Sequence, residues 1–288
     1  MRYVITTDTT CDMPQAFLEE NELTVMSMAY TVDGKTYTGL EGDFLPPKEF
    51  YDRLRGGSMP QTAQVNPDQA EKVFERFLKS GVSVLHIAFS SALSGSYQST
   101  VIAAEELNAK YGDAKVITID SKCASMGEGL FVYYAVQLKK QGKSLEEAAE
   151  WLEAHKLNIC HNFTVDDLFH LHRGGRVSKT AAVFGSMLGV KPVLHVDDEG
   201  RLIPIQKIRG RKQSLTALVD NMETCMGGMK NDVVFISHGD CLEDAQFVAD
   251  EVKKRFGIQN IWIDYIGPVI GTHSGAGTVA LFFLGKHR

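Results

Sequence analysis

A chain of 288 residues can bury a substantial core and hold one large or two modest domains. Hydrophobic residues at 44% and charged residues at 23% are ordinary for a soluble globular protein, and a net charge of -6 offers no general attraction to nucleic acid or anionic lipid. Small molecules or proteins are the expected partners. Five cysteines (Cys11, Cys123, Cys160, Cys225, Cys241) form no CxxC pair, which argues against a disulfide framework or zinc site and fits a reducing compartment. No basic-then-apolar leader precedes the first strand-like run. No apolar stretch approaches the roughly 20 residues that span a bilayer. A cytoplasmic location without stable membrane insertion is therefore expected.

In chain order, Val- and Ile-rich runs at 3–7, 82–89 and 115–119 read as strands. Helical patterns occupy 67–79, 98–111, 127–141 and 144–155. The last opens with Ser144 followed three residues later by Glu147, a capping box. Strand-then-helix alternation predicts a mostly parallel sheet covered by helices. The rhythm then changes. Runs at 193–196 and 202–208 flank Asp197-Asp198-Glu199-Gly200 as a β-hairpin, followed by a helix (212–226), a strand (233–237), a helix (242–256) and a strand (260–266). The apolar run 279–284 is expected to continue a helix. The fold class is α/β in two lobes, residues 1–160 with a mostly parallel sheet and residues 161–288 with a mixed one.

Polar residues collect where the first-half strands end: Asp8, Thr9 and Thr10; Ser90, Ser91 and Ser94; Asp120 and Ser121. Open α/β sheets bind ligands along that edge, although Ser and Asp also cap ordinary turns. One N-cap needs one hydroxyl, so the four serines of Ser90-Ser91-Ala92-Leu93-Ser94-Gly95-Ser96 leave several to meet an anion. Near the C-terminus, Gly267-Pro268-Val269-Ile270-Gly271-Thr272-His273-Ser274-Gly275-Ala276-Gly277-Thr278 combines glycines with hydroxyls and one imidazole, an anion cradle. The polar loop before the 67–79 helix leaves Thr62 without a capping task. Arg173 and Arg176 bracket paired glycines and could fork onto a carboxylate or phosphate. His170 and His172 share a face only in a strand, and no third metal ligand is evident. No Walker A, GxGxxG, HExxH or EF-hand pattern occurs, so neither cofactor nor metal is expected. An alternative makes Ser94 a nucleophile and His273 its base in an esterase or acyltransferase, but the first glycine of the nucleophile elbow is missing and no third triad member is clear.

These segments in this order resemble the DegV family of bacterial fatty-acid-binding proteins. The resemblance is carried by Thr7-Asp8-Thr9-Thr10-Cys11-Asp12, Gln61-Thr62-Ala63-Gln64, Ser91-Ala92-Leu93-Ser94-Gly95-Ser96-Tyr97-Gln98-Ser99, Arg173-Gly174-Gly175-Arg176-Val177-Ser178, Gly189-Val190-Lys191-Pro192-Val193-Leu194 and the glycine-rich C-terminal segment. It implies a non-catalytic carrier that holds one long-chain fatty acid, such as palmitate, between its lobes. A separate ATP-dependent kinase subunit would phosphorylate the carboxylate for phospholipid synthesis. The resemblance places the carboxylate on Thr62, Ser94 and His273, with Arg176, Gly95 and Thr272 near the head group or facing the kinase. Ala63 stands where the family usually has serine, which removes one hydroxyl. The runs 129–136, 184–190 and 279–284 are candidates for the tunnel wall as well as for plain core.

Overall fold

The computed structural model of the chain describes residues 2–178 and 189–288. The first half contains β1 (Tyr3–Asp8), α1 (Gln15–Glu20), β2 (Thr24–Met26), β3 (Tyr30–Val32), β4 (Lys35–Tyr37), α2 (Pro47–Arg55) and β5 (Gln61–Thr62). It continues with α3 (Pro67–Leu78), β6 (Ser83–Ala88), α4 (Ser96–Lys110), β7 (Val116–Asp120), α5 (Met126–Lys140) and α6 (Leu145–His155). Strands in the order β2-β1-β6-β7 form an all-parallel sheet, and β4-β3-β5 form a small antiparallel one. β6 is buried at every position, as expected for a parallel strand covered on both faces. Two helix starts follow directly from local chemistry. Asn66 and Gln69 cap α3 reciprocally, with Pro67 in its first turn, and Ser144 and Glu147 do the same for α6.

The second half contains β8 (Ile159–Thr164), α7 (Leu168–Arg173), β9 (Val190–Val196), β10 (Leu202–Arg209), α8 (Arg211–Met226), β11 (Val234–His238), α9 (Leu242–Phe256), β12 (Ile261–Tyr265), α10 (Pro268–Ser274) and β13 (Val279–Leu284). They build one mixed sheet in the order β10-β9-β8-β13-β11-β12, in which β11 and β12 are parallel and the other neighbours antiparallel. The chain leaves the parallel sheet through a single 3-10 turn at Lys156–Asn158, so residue 160 lies inside β8.

One expectation is overturned. The run 279–284 is strand β13, hydrogen-bonded between β8 and β11, and does not continue a helix. A strand buried on both faces shows no alternation, so periodicity cannot separate it from a buried helix. α5 lies between the lobes, packing on β1 and β6 of one sheet and on β8, β11 and β13 of the other. Its apolar residues Leu130, Phe131, Val132, Ala135 and Val136 are buried on every side, so the 129–136 run is inter-lobe core. His170 and His172 sit on α7, roughly 200° apart around its axis.

Candidate functional site

The glycine-rich C-terminal segment forms α10, wedged between the lobes against α2, α7 and β5. Pro268 starts it with a preset φ, and Gly271 lets it approach α2. A Cβ at Gly271 would lie 2.5 Å from the Tyr51 hydroxyl, which itself donates to the Ile266 carbonyl at 2.8 Å. Helical spacing then puts Val269, Ile270, His273 and Ser274 along one cavity wall. The opposite wall comes from the mixed sheet. Phe163 pairs with Ala280 and His161 with Phe282, so alternate residues of β8 and β13 face the space, joined by Val196, Leu202 and Leu171. Loops at the ends of β6 and β7 close it with Phe89, Leu93, Ala124 and Ser125.

The cavity is narrow, with a volume of about 70 Å³, and mostly apolar. Of the candidate tunnel runs, Ala280 and Phe282 from 279–284 line it, and 129–136 does not. Residues 184–188 of the third run lie outside the described residues.

Polar groups gather at one end. Thr62 Oγ1 lies 2.9 Å from His273 Nε2. His273 Nδ1 is buried, without a partner among the described residues, against Gly174, where a side chain could not fit. Burial, and then the nearby Arg176 charge, lowers the His273 pKa to about 4, so the ring is neutral near pH 7. With Nε2–H donating to Thr62, the threonine proton is free to point at a ligand. Ser94 Oγ accepts from the Ser96 amide at 3.2 Å and lies 3.0 Å from Ser96 Oγ, which itself accepts from the Val65 amide at 3.1 Å. If Ser96 donates to Ser94, the Ser94 proton is likewise free. Arg176 is held by the chain: Nε donates to the Leu93 carbonyl at 3.2 Å and Nη1 to the Gly174 carbonyl. Its burial lowers its pKa from the ordinary guanidinium value.

The structure therefore brings Thr62, Ser94, Arg176 and His273 to one end of one cavity. Gly95 and Thr272 lie outside that wall. Gly95 lines a surface depression shared with Thr62, Ser94 and Arg176, packed against the Gln64 side chain. Thr272 lines a second depression, shared with Thr62, Arg176 and His273, and its hydroxyl donates to the Pro268 carbonyl at 2.8 Å. Ala63 lines the first depression with its amide bound to the Ala29 carbonyl at 2.8 Å. Ser94 and His273, the couple a hydrolase would need hydrogen-bonded, are bonded to Ser96 and Thr62, and among the described residues no carboxylate acts on the His273 ring. The other strand-end hydroxyls serve the scaffold. Ser90 donates to the Gly200 carbonyl at 2.9 Å, and Ser91 Oγ accepts from Lys122 Nζ at 2.9 Å.

Four polar wall residues were not singled out from sequence as site residues: Ser125, His161, Ser274 and Thr278. Ser274 and Thr278 had a usable signal, their place in the glycine-rich segment around His273. Among the described residues, no cluster of three or more His, Cys, Asp or Glu side chains is placed to hold a metal, and no helix is long and apolar enough to cross a membrane.

Fold and site together define a two-lobed α/β protein built around an enclosed apolar cavity with a polar mouth. The family model described as "Uncharacterised protein, DegV family" matches residues 2–286. A DegV domain-containing protein of Clostridium perfringens is 45% identical over 287 residues, covering 100% of this chain and 99% of its own. The chain belongs to the DegV family. Among solved structures, a fatty-acid-binding DegV family protein from Thermus thermophilus superposes with a TM-score of 0.88 at 27% identity, covering 99% of this chain and 100% of that one. A stearic-acid-binding protein from Eubacterium ventriosum gives a TM-score of 0.86 at 25% identity, covering 99% and 98%.

Proposed function

We propose that the protein is a non-catalytic carrier for one long-chain fatty acid, with the tail in the inter-lobe cavity and the carboxylate on Thr62, Ser94 and His273. The observation that carries this reading is the shape of the polarity. Thr62, Ser94, Arg176 and His273 line both the apolar cavity and depressions that open to the surface, while the rest of the wall is mostly apolar. A polar head at the mouth and a dry tail inside is the arrangement an amphiphile needs. The fatty-acid-binding relatives support the same ligand class.

Tail burial dominates the affinity. About 14 methylenes at roughly 0.8 kcal/mol each amount to about 11 kcal/mol before ordering costs. Hydrogen bonds to the charged head add about 1.5–3 kcal/mol each and fix its orientation. The carboxylate then lies where a second protein can reach it. In our reading that partner is an ATP-dependent kinase subunit acting in the cytoplasm, and the acyl phosphate it makes feeds phospholipid synthesis. Arg176, Gly95 and Thr272 border the faces it would approach.

Native mass spectrometry of the purified protein, followed by organic extraction, tests the ligand. One long-chain fatty acid per chain is expected. Finding none, with no uptake when palmitate is offered, would sink the reading.

A further inference from the structure

Four polar residues line the cavity without reaching either outward depression: Ser125, His161, Ser274 and Thr278. Three of them are satisfied by the protein. Ser125 Oγ donates to Asp12 Oδ2 at 2.5 Å and lies 2.9 Å from Ser237 Oγ. The His161 ring lies 3.1 Å from the Ile159 carbonyl through Nδ1 and accepts from the Ala124 amide at 3.1 Å through Nε2. Thr278 Oγ1 donates towards the Ser274 and Gly275 carbonyls, each at 3.0 Å. Ser274 is only 6% exposed, and its hydroxyl has no partner among the described residues.

Its place in the wall says what a partner would be. Ser274 follows His273 on α10, so its side chain leaves the helix roughly 100° further round, on the row that carries Ile270 one turn earlier. Ile270 and Ser274 line the cavity and neither outward depression, whereas His273 lines the cavity and one depression as well. Ser274 thus borders the stretch just inside the head group, where the first carbons of a bound acid would lie. A buried hydroxyl without a partner is costly, and methylenes cannot relieve it.

We propose that Ser274 recognises an oxygen substituent on the first carbons of the acyl chain, so that the cavity prefers long-chain 2- or 3-hydroxy acids to unsubstituted acids of the same length. This rests on the fatty-acid reading of the cavity. A hydroxyl on the chain can both donate to and accept from Ser274, so the pair forms in either direction. A single such bond gives a preference of about tenfold.

The test is displacement of a fluorescent fatty acid from delipidated protein by palmitate, 2-hydroxypalmitate and 3-hydroxypalmitate, in the wild type and in Ser274→Ala. One hydroxy acid should bind the wild type about tenfold more tightly than palmitate, and the variant should bind it and palmitate alike. Without ligand, the variant should melt at or above the wild-type temperature, because no protein hydrogen bond to the hydroxyl is lost. Equal binding of all three acids by the wild type, or a preference that survives in Ser274→Ala, overturns the inference. The wild-type comparison decides even if the variant folds poorly. If none of the three acids binds the wild type, it is the fatty-acid reading itself that fails.

Discussion

Two groups of buried polar side chains differ in how fully they satisfy one another. The first is acidic. Asp8 Oδ2 accepts from the Phe89 amide at 3.1 Å, and Asp8 Oδ1 accepts from the Thr10 amide at 3.1 Å and also meets the Thr10 hydroxyl. Glu128 Oε1 accepts from Thr7 Oγ1 at 2.8 Å, and Glu128 Oε2 lies 2.9 Å from that same Thr10 hydroxyl. Thr10 has one proton for two acids, so one acid must donate to it. Burial raises both acids, Glu128 further than Asp8 and well above its ordinary value with the Asp8 charge beside it, so we assign the proton to Glu128. The second group, Thr62, Ser94, His273 and Ser274, leaves His273 Nδ1 and Ser274 Oγ without partners. A closed network ties strand β1 to helix α5, the helix that packs on both sheets. An open one beside a cavity is where ligand atoms belong.

The strongest way to break this contrast is at Glu128. Glu128→Ala takes away the partner of Thr7 Oγ1 and leaves Thr10 Oγ1 with Asp8 alone, and should cost about 3 kcal/mol of stability in chemical denaturation. Glu128→Gln offers a donor and an acceptor in place of the protonated acid and should stay within about 1 kcal/mol of wild type. A glutamine variant as weak as the alanine one would mean that Glu128 is ionised and the network is not closed as described.

The open group should respond the other way. Ser94→Ala should change folding stability by less than about 1 kcal/mol yet weaken palmitate binding about tenfold in titration calorimetry, since one bond to a charged head is lost and the tail contribution remains. A large stability loss with unchanged affinity would make Ser94 part of the scaffold.

The smallest expected effect is in the pH profile. Burial lowers His86 to about 3 and His273 to about 4 from an ordinary value of 6.5. Their contribution to stability is full above 6.5 and is lost as pH falls from there towards those values. Asp12 is raised from 3.8 to about 8, chiefly by burial of its carboxyl, although the residue keeps a partly exposed edge. Its contribution is full below its ordinary value and is lost as pH rises towards 8. Between pH 6.5 and 8 the histidine terms are flat and the raised carboxyls remain. The melting temperature of the ligand-free protein should fall across that window, and Asp12→Asn should flatten the fall. An unchanged slope in the variant would remove Asp12 from the account.

Much of the fold was legible because its signals are local. Asn66 with Gln69 and Ser144 with Glu147 start helices where their spacing says they should. The Asp197–Gly200 turn joins antiparallel β9 and β10 as read. The three-residue strands β3 and β4 are too short to show a period, and β13 is too uniformly apolar to show one. In the site, Thr62, Ser94, His273 and Arg176 were expected through the family resemblance, and the fold collects them at one mouth. Ser125 and His161 are single polar residues in ordinary surroundings, and nothing in their neighbours marks them as cavity wall.

The sequence by itself determined the element types, the caps, the polar strand ends and the chemistry available to a ligand, since these depend on residues a few positions apart. The tertiary structure alone decided which polar groups close on one another and which are left open. Thr10 meets Glu128 across 118 positions, and Thr62 meets His273 across 211. Whether a buried hydroxyl is satisfied is a property of such distant pairs, and that difference separates the closed acidic network from the open mouth of the cavity.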